Sequence, residues 1–264
     1  MNAKMATFDH SFSHLIILLI TSLYFNEGTL FEEKSILHFT IAKTIIMKEE
    51  KRKFIFSLLI PLGLLVIMWI IKLIEYGFDI SLASLGNYPL ELKGVKGIVL
   101  MPFVHGSWSH LLANTVPFLI LSSALFYFYS SISVRVLAGI WILSGIWVWF
   151  GGRPSWHIGA SGIIYGLSSF VFVSGIIRKD TRLAALALIV AFLYGSMIWG
   201  VFPDFFPKEK NVSWEGHLGG AVAGLILALY YRNSGPKPKQ YSWELEDDSM
   251  DDDSELTYWK SDHT

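Results

Sequence analysis

The 264-residue chain has no cysteine, so disulfides, thiolate nucleophiles and thiolate metal ligands are all excluded. Charge is scarce as well: 16% of residues are Asp, Glu, Lys or Arg, against about 25% in soluble globular proteins. So few charges do not cover a surface that faces water on every side, which excludes a simple soluble domain. No basic surplus exists, with 21 Lys and Arg against 22 Asp and Glu, and this speaks against a nucleic-acid partner. What is abundant is apolar: 53% of residues are hydrophobic, 15% are aromatic, and the mean hydropathy is +0.47. The near-neutral balance hides an asymmetry. Nine of the 22 acids but only three of the 21 bases fall in residues 235–264, leaving 13 acids and 18 bases for residues 1–234.

A helix that crosses a bilayer core roughly 30 Å thick needs about 20 apolar residues, and shorter helices are tolerated inside a bundle. Six stretches fit: 54–74, 110–129, 136–150, 161–177, 183–202 and 216–231. The third, fourth and sixth are the shorter ones, as expected of interior helices or helices that begin below the surface. The predicted fold class is an all-α membrane protein, a bundle of six transmembrane helices. KEEKRK (48–53), Arg135, RKDTR (178–182), Arg232, Lys237 and Lys239 then share one side. The excess of Lys and Arg places that side, with both termini, in the cytoplasm. The chain divides into an N-terminal cytoplasmic segment (1–52), a membrane domain (53–232) and an acidic, disordered cytoplasmic tail (233–264). The apolar run 14–25 is too short to span. It is either an interfacial helix, or part of a segment 1–46 that lies outside the native protein, whose start is then Met47.

Strongly polar groups inside membrane helices are costly and therefore functional candidates. Three places carry them: His110 with Asn114 at the start of the second stretch, Ser161 within GASG (159–162) at the start of the fourth, and His217 within GHLGG (216–220) at the start of the sixth. Alternate helices begin on the same side, here the non-cytoplasmic one, so the three motifs share one depth. Three motifs at one level point to one site.

A serine hydroxyl is a weak nucleophile until a base takes its proton, and neutral histidine suits that role near neutral pH. Ser161 is the candidate nucleophile and His217 the candidate base, provided the fourth and sixth helices touch. Gly216, Gly219, Gly220 and Gly224 line the sixth helix at a spacing that lets backbones approach, and Gly159 and Gly162 keep the turn around Ser161 clear. A tetrahedral intermediate needs donors for its oxyanion. His110 and Asn114, four residues apart on one helix face, supply them together with the Ser161 N–H. No Asp or Glu lies inside the second to sixth stretches and Glu215 only flanks the last, so a dyad is expected. Tyr165, one turn below Ser161, is placed to pack on the His217 ring. His105 and His157 fall in outer loops and read as structural.

Other intramembrane chemistries lack their residues. No His is followed by Glu, so the HExxH zinc motif is absent. There is no GxGD motif for an aspartyl mechanism, and Ile163 stands where a G-x-S-x-G elbow requires glycine. No metal or cofactor is expected.

At HLLAN (110–114), GASGIIY (159–165) and GHLGG (216–220) the chain resembles the rhomboid family of intramembrane serine proteases, over about residues 53–232. The resemblance implies a six-helix bundle with a short central fourth helix and a water-filled cavity opening to the outer side. It implies Ser161 as nucleophile, His217 as base, His110 and Asn114 as oxyanion stabilisers, and Tyr165 packed on His217. The implied partners are membrane lipid and single-pass membrane-protein substrates, cleaved near their outer end after lateral entry past the fifth helix. The implied location is a bacterial cytoplasmic membrane. One departure is the absence, in 75–109, of the Trp-Arg pair that many rhomboids carry in the loop after the first helix. The alternatives are a catalytically silent rhomboid-like protein that binds membrane clients, which has no need of an intact Ser161/His217 pair, and a transporter, whose polar residues would spread through the membrane depth.

Overall fold

A computed structural model describes residues 31–193 and 213–234. The 14–25 run, the second half of the fifth apolar stretch and residues 235–264 of the acidic tail lie outside the described residues. Two compact units divide between Ile55 and Phe56. Residues 31–55 of the first are helical, and the helix that carries the first apolar stretch, α1, is assigned over Phe31–Phe78. KEEKRK is therefore helical and continuous with the first apolar stretch.

The second unit continues with α2 (Trp108–Phe128), α3 (Ser133–Gly151), α4 (Ser161–Ile177), α5 (described over Thr181–Leu193) and α6 (Trp214–Tyr230). Among the described residues there is no strand, only an isolated antiparallel bridge between Asn87 and His157. Helices over Lys43–Phe78, Trp108–Phe128 and Ser133–Gly151 are long and apolar enough to cross a membrane, and Ser161–Ile177 is a shorter apolar helix. Phe54, Phe56, Leu59, Val66 and Leu73 stand exposed along α1, which suits a helix whose solvent is lipid rather than water.

Two helix starts are fixed by serines. Ser107 caps α2 by accepting from the His110 N–H at 3.1 Å, and Ser213 caps α6 by accepting from the Gly216 N–H at 3.3 Å. Each cap satisfies a donor that the first turn leaves without an intrahelical partner.

α4 packs against α2, α3, α5 and α6 and is buried along most of its length, with Ile163, Leu167, Phe170 and Val171 in the core. At 17 residues it spans about 25 Å, less than the hydrocarbon thickness. Lipid gives apolar faces no hydrophobic incentive to associate, so close backbone packing must supply the attraction. The α4–α6 crossing does this. A Cβ on Gly220 would collide with the Gly162 carbonyl, one on Gly224 with the Gly166 carbonyl, and one on Gly162 would lie 3.1 Å from the Gly216 carbonyl oxygen. Gly219 differs from its neighbours, because it faces the Trp147 side chain of α3 rather than α4.

The segment between α1 and α2, expected as a loop, is folded. It holds one-turn helices at Leu92–Val95 and Gly97–Leu100 and 3-10 turns at Ala83–Leu85 and Met101–Phe103. It rests along α3: Asn87 Nδ2 donates to the Gly145 carbonyl at 2.8 Å, Trp141 Nε1 to the Val99 carbonyl at 3.0 Å, and Trp149 Nε1 to the Glu91 carbonyl at 3.2 Å.

Candidate active site

The helix crossing brings residues 56 positions apart into contact: Ser161 Oγ and His217 Nε2 lie 2.9 Å apart. In the tautomer with the proton on Nδ1, the hydroxyl donates to Nε2, which is the arrangement general-base chemistry requires. Ser161 is the first residue of α4, so its N–H has no intrahelical acceptor and the positive end of the helix dipole lies there. The His217 ring stacks on Tyr165, with centroids 4.1 Å apart and planes inclined by 10°. Both rings are buried, His217 at 8% exposure and Tyr165 at 8%, so the stack limits the imidazole to a narrow range of orientations.

His110 and Asn114 lie in the first two turns of α2, and their side chains approach the turn that precedes Ser161. Gly159 has φ of +106° and its N–H donates to the Met101 carbonyl at 2.8 Å. A Cβ at Gly159 would lie 2.7 Å from His110 Cε1 and Nε2 and 3.6 Å from Asn114 Nδ2. Asn114 is 6% exposed, and its buried Nδ2 has no hydrogen-bond partner among the described residues. A buried donor without a partner is uncommon, and a group that gains an acceptor only during reaction explains one at this position. Every residue expected at the site thus falls in one neighbourhood except Gly219, which contributes to the α3 contact instead.

Gly159 carries a sharp test of this arrangement. A side chain there meets both an unfavourable φ and the His110 ring. Gly159→Ala is expected to lower the turnover number for a cleaved substrate by about 10- to 100-fold, the scale of a misplacement near 1 Å, with a smaller effect on substrate affinity. Wild-type turnover by this variant would contradict the placement of His110 against the turn.

Several supporting residues escape a motif search. Glu215 is 3% exposed, and its Oε1 accepts from the Arg153 backbone N–H at 3.3 Å and pairs with Arg153 Nε at 3.2 Å. His157 is 3% exposed, with Nδ1 at 2.6 Å from the Ser213 hydroxyl and Nε2 donating to the Arg153 carbonyl at 3.0 Å. These contacts tie the segment before Ser161 to the first turn of α6, which carries His217. On α1, Lys72 pairs with Glu75 at 3.1 Å, and Glu75 Oε1 accepts from the Leu82 N–H at 2.7 Å. The signal for that pair was an (i, i+3) Lys–Glu couple at the end of an apolar run, a spacing that brings side chains together on a helix. A cavity of about 350 Å³ lies beside it, lined among others by Lys72, Glu75, His105, Ser107, Trp108 and Ile158.

Helices of membrane-spanning length with exposed apolar flanks, holding a buried polar cluster, make this an integral membrane protein. Comparison with known proteins narrows the class. The rhomboid domain family model matches residues 93–234. An uncharacterized protein of Mycobacterium tuberculosis is 36% identical over 179 residues, covering 66% of this chain and 73% of its own. An uncharacterized protein of Mycobacterium leprae is 33% identical over 185 residues, covering 67% and 72%. A protein of Acanthamoeba polyphaga mimivirus named as a rhomboid protein is 28% identical over 142 residues, covering 52% and 73%. The chain belongs to the rhomboid family, and this membership supports an intramembrane protease-like function.

Proposed function

We propose that the protein is an intramembrane serine endopeptidase that cleaves transmembrane helices of single-pass membrane proteins near their outer ends. The observation that carries this reading is the 2.9 Å approach of Ser161 Oγ to His217 Nε2, with Tyr165 holding the imidazole. A substrate helix unwinds locally and presents its backbone, since a hydrogen-bonded helix hides its carbonyls from attack. The Ser161 oxygen attacks the scissile carbonyl carbon while its proton passes to His217 Nε2. The oxyanion takes hydrogen bonds from His110, Asn114 Nδ2 and the Ser161 N–H. His217 then gives its proton to the leaving amine, and the acyl-enzyme forms. Water attacks the ester, its proton passes to His217, and the product acid leaves as the proton returns to Ser161.

The proposal includes a six-helix bundle with α4 as its short central helix, and a site opening to the outer side of a bacterial cytoplasmic membrane. Both termini are then cytoplasmic, and substrates enter past α5. Neither metal nor cofactor takes part. A fluorophosphonate probe tests the nucleophile: the protein in detergent is expected to be labelled at Ser161, with labelling abolished in Ser161→Ala and strongly reduced in His217→Ala. Complete inertness of the folded wild-type protein would favour a client-binding, non-proteolytic role.

A further inference from the structure

One histidine has no part in the dyad or the oxyanion contacts, yet it lies against the site. His105 is 1% exposed, and neither ring nitrogen has a hydrogen-bond partner among the described residues. The Phe103 carbonyl lies near it without meeting hydrogen-bond geometry. Burial, and then the neighbouring His110, push the His105 imidazole down to about 3, so the ring is neutral at physiological pH. Its ring contact is with the candidate oxyanion donor. The His105 and His110 rings meet edge to face, with centroids 5.0 Å apart and planes at 67°, a favoured geometry for paired π systems.

The backbone of the same residue is held from α1. Lys72 Nζ donates to the His105 carbonyl at 2.9 Å and to Glu75 Oε2 at 3.1 Å. Glu75 is 7% exposed, and its second oxygen accepts from the Leu82 N–H at 2.7 Å. A largely buried ion pair is a poor source of net stability, because desolvation offsets the attraction, but it fixes geometry well. Here its lysine reaches 33 residues along the chain to the residue that packs on His110. His110 is also held by the Ser107 cap at its backbone N–H and by the close approach of Gly159 to its ring.

We propose that Lys72, Glu75 and His105 form a positioning array for His110: the ion pair fixes the His105 backbone, and the His105 ring fixes the His110 imidazole at the angle from which it donates to the oxyanion. The inference rests on the oxyanion role of His110 proposed above. Since neither His105 nitrogen has a partner among the described residues, the ring acts through its shape.

A double-mutant cycle on the full-length protein tests the array. The protein is reconstituted in phosphatidylethanolamine–phosphatidylglycerol vesicles with a fluorescent single-pass substrate that carries Gly and Pro near its outer end. His105→Ala is expected to lower kcat about tenfold with little change in KM, an effect on the transition state rather than on binding. His105→Phe, which keeps the ring, is expected to stay within about threefold of wild type. Lys72→Met combined with Glu75→Gln, which leaves no unpaired charge, is expected to match His105→Ala. In a His110→Ala background none of these changes should lower kcat further, since residues acting through one group are not additive. Thermal unfolding in detergent identifies any loss that comes from misfolding, and His105→Phe carries the test if His105→Ala does not fold. Multiplicative losses in the His110→Ala background would overturn the array. So would wild-type kcat for folded His105→Ala, or a folded His105→Phe as slow as His110→Ala. If His110→Ala alone leaves kcat unchanged while Ser161→Ala abolishes cleavage, the oxyanion assignment of His110 fails instead.

Discussion

His217→Ala is expected to slow cleavage of a single-pass substrate by a factor of about 10⁴ or more, the scale seen when a member of a serine–histidine unit is removed. The reason is the hydroxyl. A serine at neutral pH holds its proton tightly, and at this site the group 2.9 Å from Ser161 Oγ is His217 Nε2. No Asp or Glu lies inside the second to sixth apolar stretches, so the chain has no obvious intramembrane carboxylate to take over. The fold should survive, because the ring is lost from a site held mainly by glycine-mediated backbone contact. Initial rates in vesicles, with thermal unfolding as control, measure the effect. Retention of more than a tenth of the wild-type rate would rule out His217 as the base.

Gly220→Val is expected to slow cleavage by about a hundredfold or more, by a different route. The first atom of any side chain at 220 would collide with the carbonyl oxygen of Gly162, the residue next to Ser161. The Cβ position is set by the α6 backbone and the oxygen belongs to the α4 backbone, so neither atom can rotate away and α4 and α6 must separate. Gly220 follows His217 by three residues, so the separation falls at the level of the dyad. A shift of about 1 Å breaks the 2.9 Å contact between Ser161 and His217, and misplacement on that scale costs about a hundredfold. Overpacking adds roughly 1–3 kcal/mol of destabilisation. Gly219→Ala is the control, since its added methyl meets the Trp147 side chain of α3, so the strain falls on the α3 contact rather than on the α4–α6 crossing. The milder loss should therefore belong to Gly219→Ala, and equal tolerance of both changes would contradict the α4–α6 crossing.

The site was more legible than its supports, for a physical reason. HLLAN, GASG and GHLGG are local patterns whose residues share a helix face or a turn, and helix alternation alone assigns them to one depth. Polar groups in an apolar span are conspicuous because lipid makes them costly. The supports act across sequence. His157 meets Ser213 from 56 residues away and Lys72 meets the His105 carbonyl from 33, and no spacing rule announces such pairs. His105 and His157 were correctly placed outside the helices, but their burial at 1% and 3% depends on how the segment between α1 and α2 folds against α3. That segment looked like a loop because its helices are only four residues long, too short for apolar periodicity to register. Gly219 was grouped with its neighbours because helical spacing alone does not say which partner helix a residue meets. Its neighbour proved to be Trp147 of α3.

The most direct test of the central claim uses a single-pass reporter with helix-destabilising residues near its outer end, co-reconstituted with either the wild-type protein or Ser161→Ala, its fragments identified by mass spectrometry. The wild-type protein should yield two fragments joined at one peptide bond in the outer part of the reporter helix, and Ser161→Ala should leave the reporter intact. The same fragments at an undiminished rate with Ser161→Ala would contradict the assignment of Ser161 as the nucleophile.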